Sequence, residues 1–180
     1  MGVFARAFRR ADLPVRMSQG FNPRPRFSLP APLPLGIEGL DEVLELDLAR
    51  ELDPLELCRR LGGDLPDGLD LLGAELLAPG EKAHIRTMRY RVCGRIPPDA
   101  IARCLEAKEL PVTRREGKTI DIRPYLTAVR GTDDGCEFEI RFTEQGTARP
   151  AEVLAALVGE NPGPAPPLPM VRTAVNLDVP

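Results

Sequence analysis

The amino-acid sequence predicts an α+β fold built from two tandem ferredoxin-like units of the split β-α-β type, the first lacking its opening strand. The second half of the 180-residue chain alternates strand-period and helix-period segments in the order β-α-β-β-β-α-β, a split unit with one extra hairpin strand. The first half runs α-β-β-β-α-β, the same order without the opening strand. Pro79-Gly80 punctuates the two, placing one unit at 1–80 and the other at 81–180. No repeat at fixed spacing relates the halves, so the likeness is one of element order.

Residues 3–11 set Val3, Phe4, Ala7, Phe8 and Ala11 on one helical face, with Arg6, Arg9 and Arg10 away from it. Asp12 and Pro14 stop that helix, and residues 13–17 can form a strand. The prolines alternating with apolar residues over 27–37 fit an edge strand, because proline cannot donate a ladder bond. Residues 42–48 largely alternate charged with apolar and read as a half-buried strand. Asp53 is a suitable N-cap with Pro54 at the first helical position; Leu55, Cys58 and Leu61 then form a buried stripe that Gly62-Gly63 ends. Residues 69–77 are a further strand candidate.

The second unit opens with a long strand at 84–96, where Met88, Tyr90 and Val92 alternate with Arg89 and Arg91. Pro97-Pro98-Asp99 starts a helix through Leu110. Strands are expected at 111–115 and 118–130, joined by a turn at Glu116-Gly117, and at 136–143 after the turn Asp133-Asp134-Gly135. Arg149-Pro150 leads into a helix, and the Pro/Gly-rich linker 161–169 into a last strand at 170–177.

Between these elements lies Ser18-Gln19-Gly20-Phe21-Asn22-Pro23-Arg24-Pro25-Arg26-Phe27. Pro23 and Pro25 fix their own φ and bias Asn22 and Arg24 toward extended backbone, so the segment is stiff without being regular. A stiff loop can present Gln19, Asn22, Arg24 and Arg26 to an anionic or polar partner, since guanidinium forks suit phosphate and carboxylate. The same residues also fit a packed connection whose Phe21 and Phe27 plug the core.

Composition narrows the class. Hydrophobic content of 43% and charged content of 28% belong to an ordinary soluble protein. No run approaches about 18 uninterrupted apolar residues, and no apolar core of secretory length follows the N-terminal arginines, which predicts a cytoplasmic chain without a membrane span. The four cysteines, Cys58, Cys93, Cys104 and Cys136, form no CxxC pair, and His84 is the single histidine. Zinc and iron–sulfur spacings are therefore excluded, buried free thiols are expected, and no metal or cofactor is called for.

Charge is segregated. Residues 1–26 carry a net +5, 27–81 a net −10, 82–130 a net +7 and 131–180 a net −5. The two basic blocks could converge into one face for nucleic acid or another polyanion, or basic and acidic blocks could neutralise one another across a sheet. The overall −3 argues against nonspecific duplex binding.

Two further constellations bear on function. Lys118, Asp121, Arg123 and Tyr125 fall on one predicted strand, with Asp121, Arg123 and Tyr125 on one face. An aspartate beside arginine in such a scaffold is reminiscent of RNA pseudouridine synthases, whose nucleophile is an aspartate, although the spacing is not their motif; a cross-strand ion pair is the structural alternative. Gly146-Thr147-Ala148-Arg149-Pro150 places Arg149 at a helix start, where backbone N–H groups suit either an anion or an ordinary cap.

Ser18-Gln19-Gly20-Phe21-Asn22-Pro23-Arg24-Pro25, then Leu33-Pro34-Leu35-Gly36-Ile37-Glu38, Ile120-Asp121-Ile122-Arg123-Pro124-Tyr125 and Gly146-Thr147-Ala148-Arg149-Pro150, resemble the bacterial radical-SAM-linked family of unknown function. The first motif is the specific one. The resemblance implies association with a radical SAM protein that carries a cobalamin-binding-type domain. It also implies an opening strand absent here, hence the expectation of a truncated member. Relatives often have histidine where this chain has Arg24, so a loop metal or proton relay is not expected.

Three functions follow as expectations. The first is a non-catalytic accessory module that docks on the radical SAM protein and presents RNA or an RNA-derived substrate through Arg24, Arg26, Lys118 and Arg123. The second is an RNA-modifying enzyme with Asp121 as nucleophile; the third is a small-molecule or anion-binding regulator.

Overall fold

The computed structural model describes residues 2–114, 117–159 and 168–178 and shows a mixed α+β protein. Among the described residues the elements are α1 (Gly2–Arg10), β1 (Phe27–Ser28), β2 (Ile37–Gly39), β3 (Glu45–Leu46), α2 (Pro54–Gly62), β4 (His84–Cys93) and α3 (Pro98–Glu106). They continue with β5 (Pro111–Thr113), β6 (Thr119–Asp121), a 3-10 turn (Arg123–Tyr125), β7 (Leu126–Thr132), β8 (Gly135–Arg141), α4 (Pro150–Val158) and β9 (Met170–Asp178). No helix among them is long and apolar enough to cross a membrane. The chain divides into two compact units, Met1–Pro30 with Val43–Ala83, and Ala31–Glu42 with His84–Pro180.

The first unit is organised by its helices. The apolar stripe of α1 buries Ala7 and Phe8, which with Ala11 and Leu61 of α2 form the core. Phe27 packs edge-on against both Phe4 and Phe8, with ring centroids 5.9 and 5.4 Å apart. Asp53 caps α2 as its sequence suggests: Oδ1 accepts from the N–H groups of Leu55 (2.9 Å) and Glu56 (3.1 Å), and Pro54 follows at the first turn. Of the expected buried stripe, Leu61 is buried and Cys58 half-buried, whereas Leu55 is 80% exposed.

Strand structure in this unit is sparser than the sequence suggests. Residues 13–17 contribute only the isolated bridges Val15–Leu48 and Met17–Pro25. The expected strands at 27–37 and 42–48 shrink to β1 and β3, paired through Phe27 with Leu46 and Ser28 with Glu45. Prolines at 23, 25, 30, 32 and 34 remove the donors that longer ladders need. Residues 69–77 form no strand, because no neighbouring chain offers them a ladder.

The second unit is a five-stranded sheet in the order β2-β9-β4-β8-β7, antiparallel throughout except for the parallel pair β2–β9. Strand β8 lies between β4 and β7, which α3 connects, and β4 lies between β8 and β9, which α4 connects. Met88, Tyr90 and Val92 point inward from β4 and meet Cys136, Phe138 and Ile140 of β8, with Tyr90 stacked on Phe138 at 5.3 Å. Ala100 and Cys104 of α3 and Val153 and Leu157 of α4 complete this core.

Two predicted elements are interrupted. Pro124 divides the expected strand 118–130 into β6, the 3-10 turn and β7, so Asp121, Arg123 and Tyr125 do not share one strand face. Helix α3 ends at Glu106 rather than Leu110, since the following backbone is held by Asp121 and Arg123. The hairpin β5–β6 pairs Pro111 with Asp121 and Thr113 with Thr119; Arg115 of the expected strand, Glu116 of the expected turn, and linker residues 161–167, lie outside the described residues.

Candidate functional site

The proline-braced loop of the first unit is fixed at its base. The N–H of Ser18 donates to the Arg24 carbonyl (2.8 Å), and the N–H of Arg24 returns a bond to Ser18 Oγ (3.0 Å). Below them, Arg26 N–H donates to the Arg16 carbonyl (2.8 Å), Arg16 N–H to the Asp47 carbonyl (2.7 Å) and Asp47 N–H to the Arg26 carbonyl (3.0 Å). Three chain segments are thereby joined around one stalk. Above the Ser18–Arg24 pair, Gly20 adopts φ +128°, a conformation that favours glycine, and the chain turns.

Residues at the tip face solvent. Phe21 is fully exposed, at 105% of its reference area, so the core-plug alternative holds for Phe27 and fails for Phe21. Gln19, Asn22 and Arg24 are also exposed, and their side chains make no hydrogen bond or ion pair among the described residues. Arg26 sits lower on the stalk, 3.2 Å from Asp47, with both side chains about half exposed. Such a pair contributes little to stability. The tip thus combines an uncovered aromatic ring, two amides and a guanidinium unpaired among the described residues; of these, aromatic rings and arginine are enriched at protein interfaces.

The other singled-out residues lie in the second unit. Lys118 is exposed beside β6. Asp121 Oδ1 accepts from the backbone N–H groups of Leu110 (2.7 Å) and Arg123 (2.9 Å), and its carboxylate makes no ion pair among the described residues. The Arg123 guanidinium donates to the carbonyls of Leu105 (3.2 Å) and Ala107 (3.1 Å), which the end of α3 leaves free, and to that of Leu126 (3.0 Å) at the start of β7. At the start of α4, the Glu152 carboxylate accepts from the Arg149 N–H (2.8 Å) and from Arg114 Nε (2.8 Å), so the helix supplies its own anion. Arg149 itself remains 62% exposed.

Residues 1–153 match the model of a family described as uncharacterized proteins conserved in bacteria, DUF2344. The chain belongs to that family. A search of curated proteins returns no match. The matched region of this DUF2344 chain includes the whole loop and both strands of the β5–β6 hairpin.

The basic block 82–130 is largely spent inside its own unit. On the sheet face opposite Tyr90, Arg91 (2.9 Å) and Arg130 (2.9 Å) flank Glu137, and Arg89 lies 3.3 Å from Glu139. Glu137 is 6% exposed, and hydrogen bonds from Arg130 and then Arg91 hold its carboxyl below the usual value of 4.5. Burial works to raise Glu152, but Arg114 and the Arg149 N–H outweigh it and lower that carboxyl too. Neutralisation across the sheet, one of the two readings of the charge pattern, is therefore realised here.

Sequence reasoning missed Arg114 and Arg172. Arg172 is fully buried, with Nε 2.7 Å from Glu42 Oε1 and Nη2 2.6 Å from the Ala31 carbonyl, and it ties residues 31–42 to the sheet. A lone charged residue inside the largely apolar strand candidate 170–177 was the available signal. Of the cysteines, Cys104 and Cys136 are buried free thiols; burial pushes both up, Cys136 to about 11. Cys58 and Cys93 are half-buried and free.

Proposed function

We propose that this DUF2344 chain is a non-catalytic accessory module that acts in the cytoplasm, docks on a radical SAM protein carrying a cobalamin-binding-type domain, and helps present an RNA or RNA-derived substrate. The observation that carries the reading is the fully exposed Phe21 beside Arg24 on a loop whose base is closed by reciprocal Ser18–Arg24 bonds. A ring held in water by a rigid support loses little entropy on docking, and burying it gives back roughly 1.5–3 kcal/mol. Arg24 adds a fork for phosphate or carboxylate, and Gln19 and Asn22 add donors and acceptors beside it. The strand order β9-β4-β8-β7 supports a ferredoxin-like reading of the second half, and the tandem arrangement is part of the same proposal.

Co-expression with the radical SAM protein encoded in the same genome tests the reading. The wild-type chain is expected to co-purify, and Phe21→Ala or Arg24→Ala to weaken retention about tenfold each while the circular dichroism spectrum is unchanged. Recovery of no partner by the wild type, or equal recovery by both variants, overturns it.

A further inference from the structure

Neutralisation on the outer face of the five-stranded sheet leaves a remainder. Over Thr87–Arg91 of β4, Ala128–Arg130 of β7, Glu137–Arg141 of β8 and Val171–Asn176 of β9, the charged side chains pointing away from Tyr90 are Arg89, Arg91, Arg130 and Arg141 against Glu137 and Glu139. The face is positive in a chain whose net charge is −3.

The two carboxylates fix the guanidiniums without using up their donors. Glu137 Oε1 accepts from Nε (3.1 Å) and Nη2 (2.9 Å) of Arg91, and its Oε2 from Nε (2.9 Å) and Nη2 of Arg130. Glu139 accepts from Arg89 Nη2 (3.3 Å) and from the Thr127 hydroxyl (2.9 Å). Among the described residues, Nη1 of Arg91 and Arg130, Nε and Nη1 of Arg89, and the whole Arg141 guanidinium make no bond. Arg130 is 71% exposed, and Arg89 and Arg91 are about half exposed. Forks held in one orientation lose little freedom when their spare N–H groups take an anion.

Arg89 and Arg130 border a cleft of about 210 Å³, which the small side chain of Ala128 leaves open between Glu137 and Glu139. Among the described residues, β4, β7, β8 and β9 expose no large apolar side chain, so this face lacks the anchors on which a protein partner depends. Arg91, Glu137 and Arg130 form one cross-strand row, and Arg89 opens the next, about 6.6 Å along β4. A line of forks suits a line of phosphates.

We infer that this sheet face holds the backbone of a single-stranded RNA segment, with one phosphate seated in the cleft between Arg89 and Arg130. The choice of RNA rests on the function proposed above; the docking through Phe21 does not enter, so either can fail alone.

The test uses the full chain and a labelled oligouridylate of about ten nucleotides, read by fluorescence anisotropy from about 50 to 200 mM salt. The wild type is expected to bind, with affinity falling as salt rises. Arg89→Gln and Arg130→Gln, both at exposed positions, are each expected to weaken binding about tenfold and to lower the salt slope by about 0.7, the loss of one phosphate contact. Ala128→Leu, which fills the cleft and keeps every charge, is expected to weaken binding about tenfold as well, whereas Arg6→Gln on α1 leaves it unchanged. No binding by the wild type, wild-type affinity in Ala128→Leu or in both arginine variants, equal weakening by Arg6→Gln, or displacement of the RNA by an equal concentration of oligoglutamate overturns the inference.

Discussion

Asp121 shows how one side chain can satisfy two readings of a sequence. Its carboxylate oxygen holds two backbone N–H groups at the end of the β5–β6 hairpin, which accounts for an acidic residue there in structural terms. Asp121→Ala strands both donors and is expected to cost about 1–3 kcal/mol in urea denaturation, whereas Asp121→Asn, which keeps the acceptor, costs well under half of that. An aspartate nucleophile would erase the ranking in a cellular RNA-modification profile, with Asn as damaging as Ala. Gly20 makes a second case at this scale. A Cβ there would touch nothing within 4 Å, but its φ of +128° strains any L side chain. Gly20→Ala is therefore expected to weaken partner retention by altering the tip, while thermal stability falls by only about 1 kcal/mol.

Among the elements, segment Ala31–Glu42 depends most on a single contact. It joins the second unit through the three parallel pairs of β2 with β9 and through Glu42, which meets the buried Arg172 in two bonds. Glu42→Ala leaves a fully buried guanidinium without its carboxylate and is expected to cost about 3–5 kcal/mol. Arg172→Met, which removes the buried charge and leaves Glu42, itself 32% exposed, able to reach water, is expected to cost less. Urea midpoints of the two variants check the order; a milder Glu42→Ala would contradict the assigned role.

Elements with their own punctuation were legible: α2 between Asp53-Pro54 and Gly62, α4 from Pro150, β8 from its alternation and β4 from the alternation of residues 88–92. Elements that need a neighbour were not. Residues 69–77 have strand composition but no ladder, and residues 118–130 have strand composition but Pro124 within them. Arg123 read as a presented cation because nothing local reveals that the end of α3 comes back to it. Phe21 read equally well as a core plug, since exposure is a property of the fold and not of the residue.

For the molecule as a whole, ion pairing makes stability depend on acid. Glu137 and Glu152 in the second unit titrate below 4.5 when folded, and Glu56, bonded first by Arg59 and then by Arg60, is lowered to about 2. Carboxyls depressed in the folded state contribute above their unfolded value and lose that contribution as pH falls through the folded one. Stability is therefore expected to be level near neutrality and to decline below about pH 4.5, and Glu137→Gln to flatten the decline; a urea-midpoint series against pH measures both. The thiols give an independent check of the cores: in native protein near pH 8, iodoacetamide is expected to label Cys58 and Cys93 and to spare Cys104 and Cys136, as read by peptide mass spectrometry.

The claim on which the functional account turns is that the ring at the tip of the braced loop is the part that touches a partner. Replacing Phe21 by the photoreactive p-benzoylphenylalanine and irradiating living cells tests this directly, because only molecules within a few ångströms of that position become attached. The account predicts one dominant adduct containing the radical SAM protein, which disappears when the benzoyl group is moved to the exposed position Leu55 on α2. An irradiated chain that stays unattached, or that yields the same adduct from either position, would contradict it.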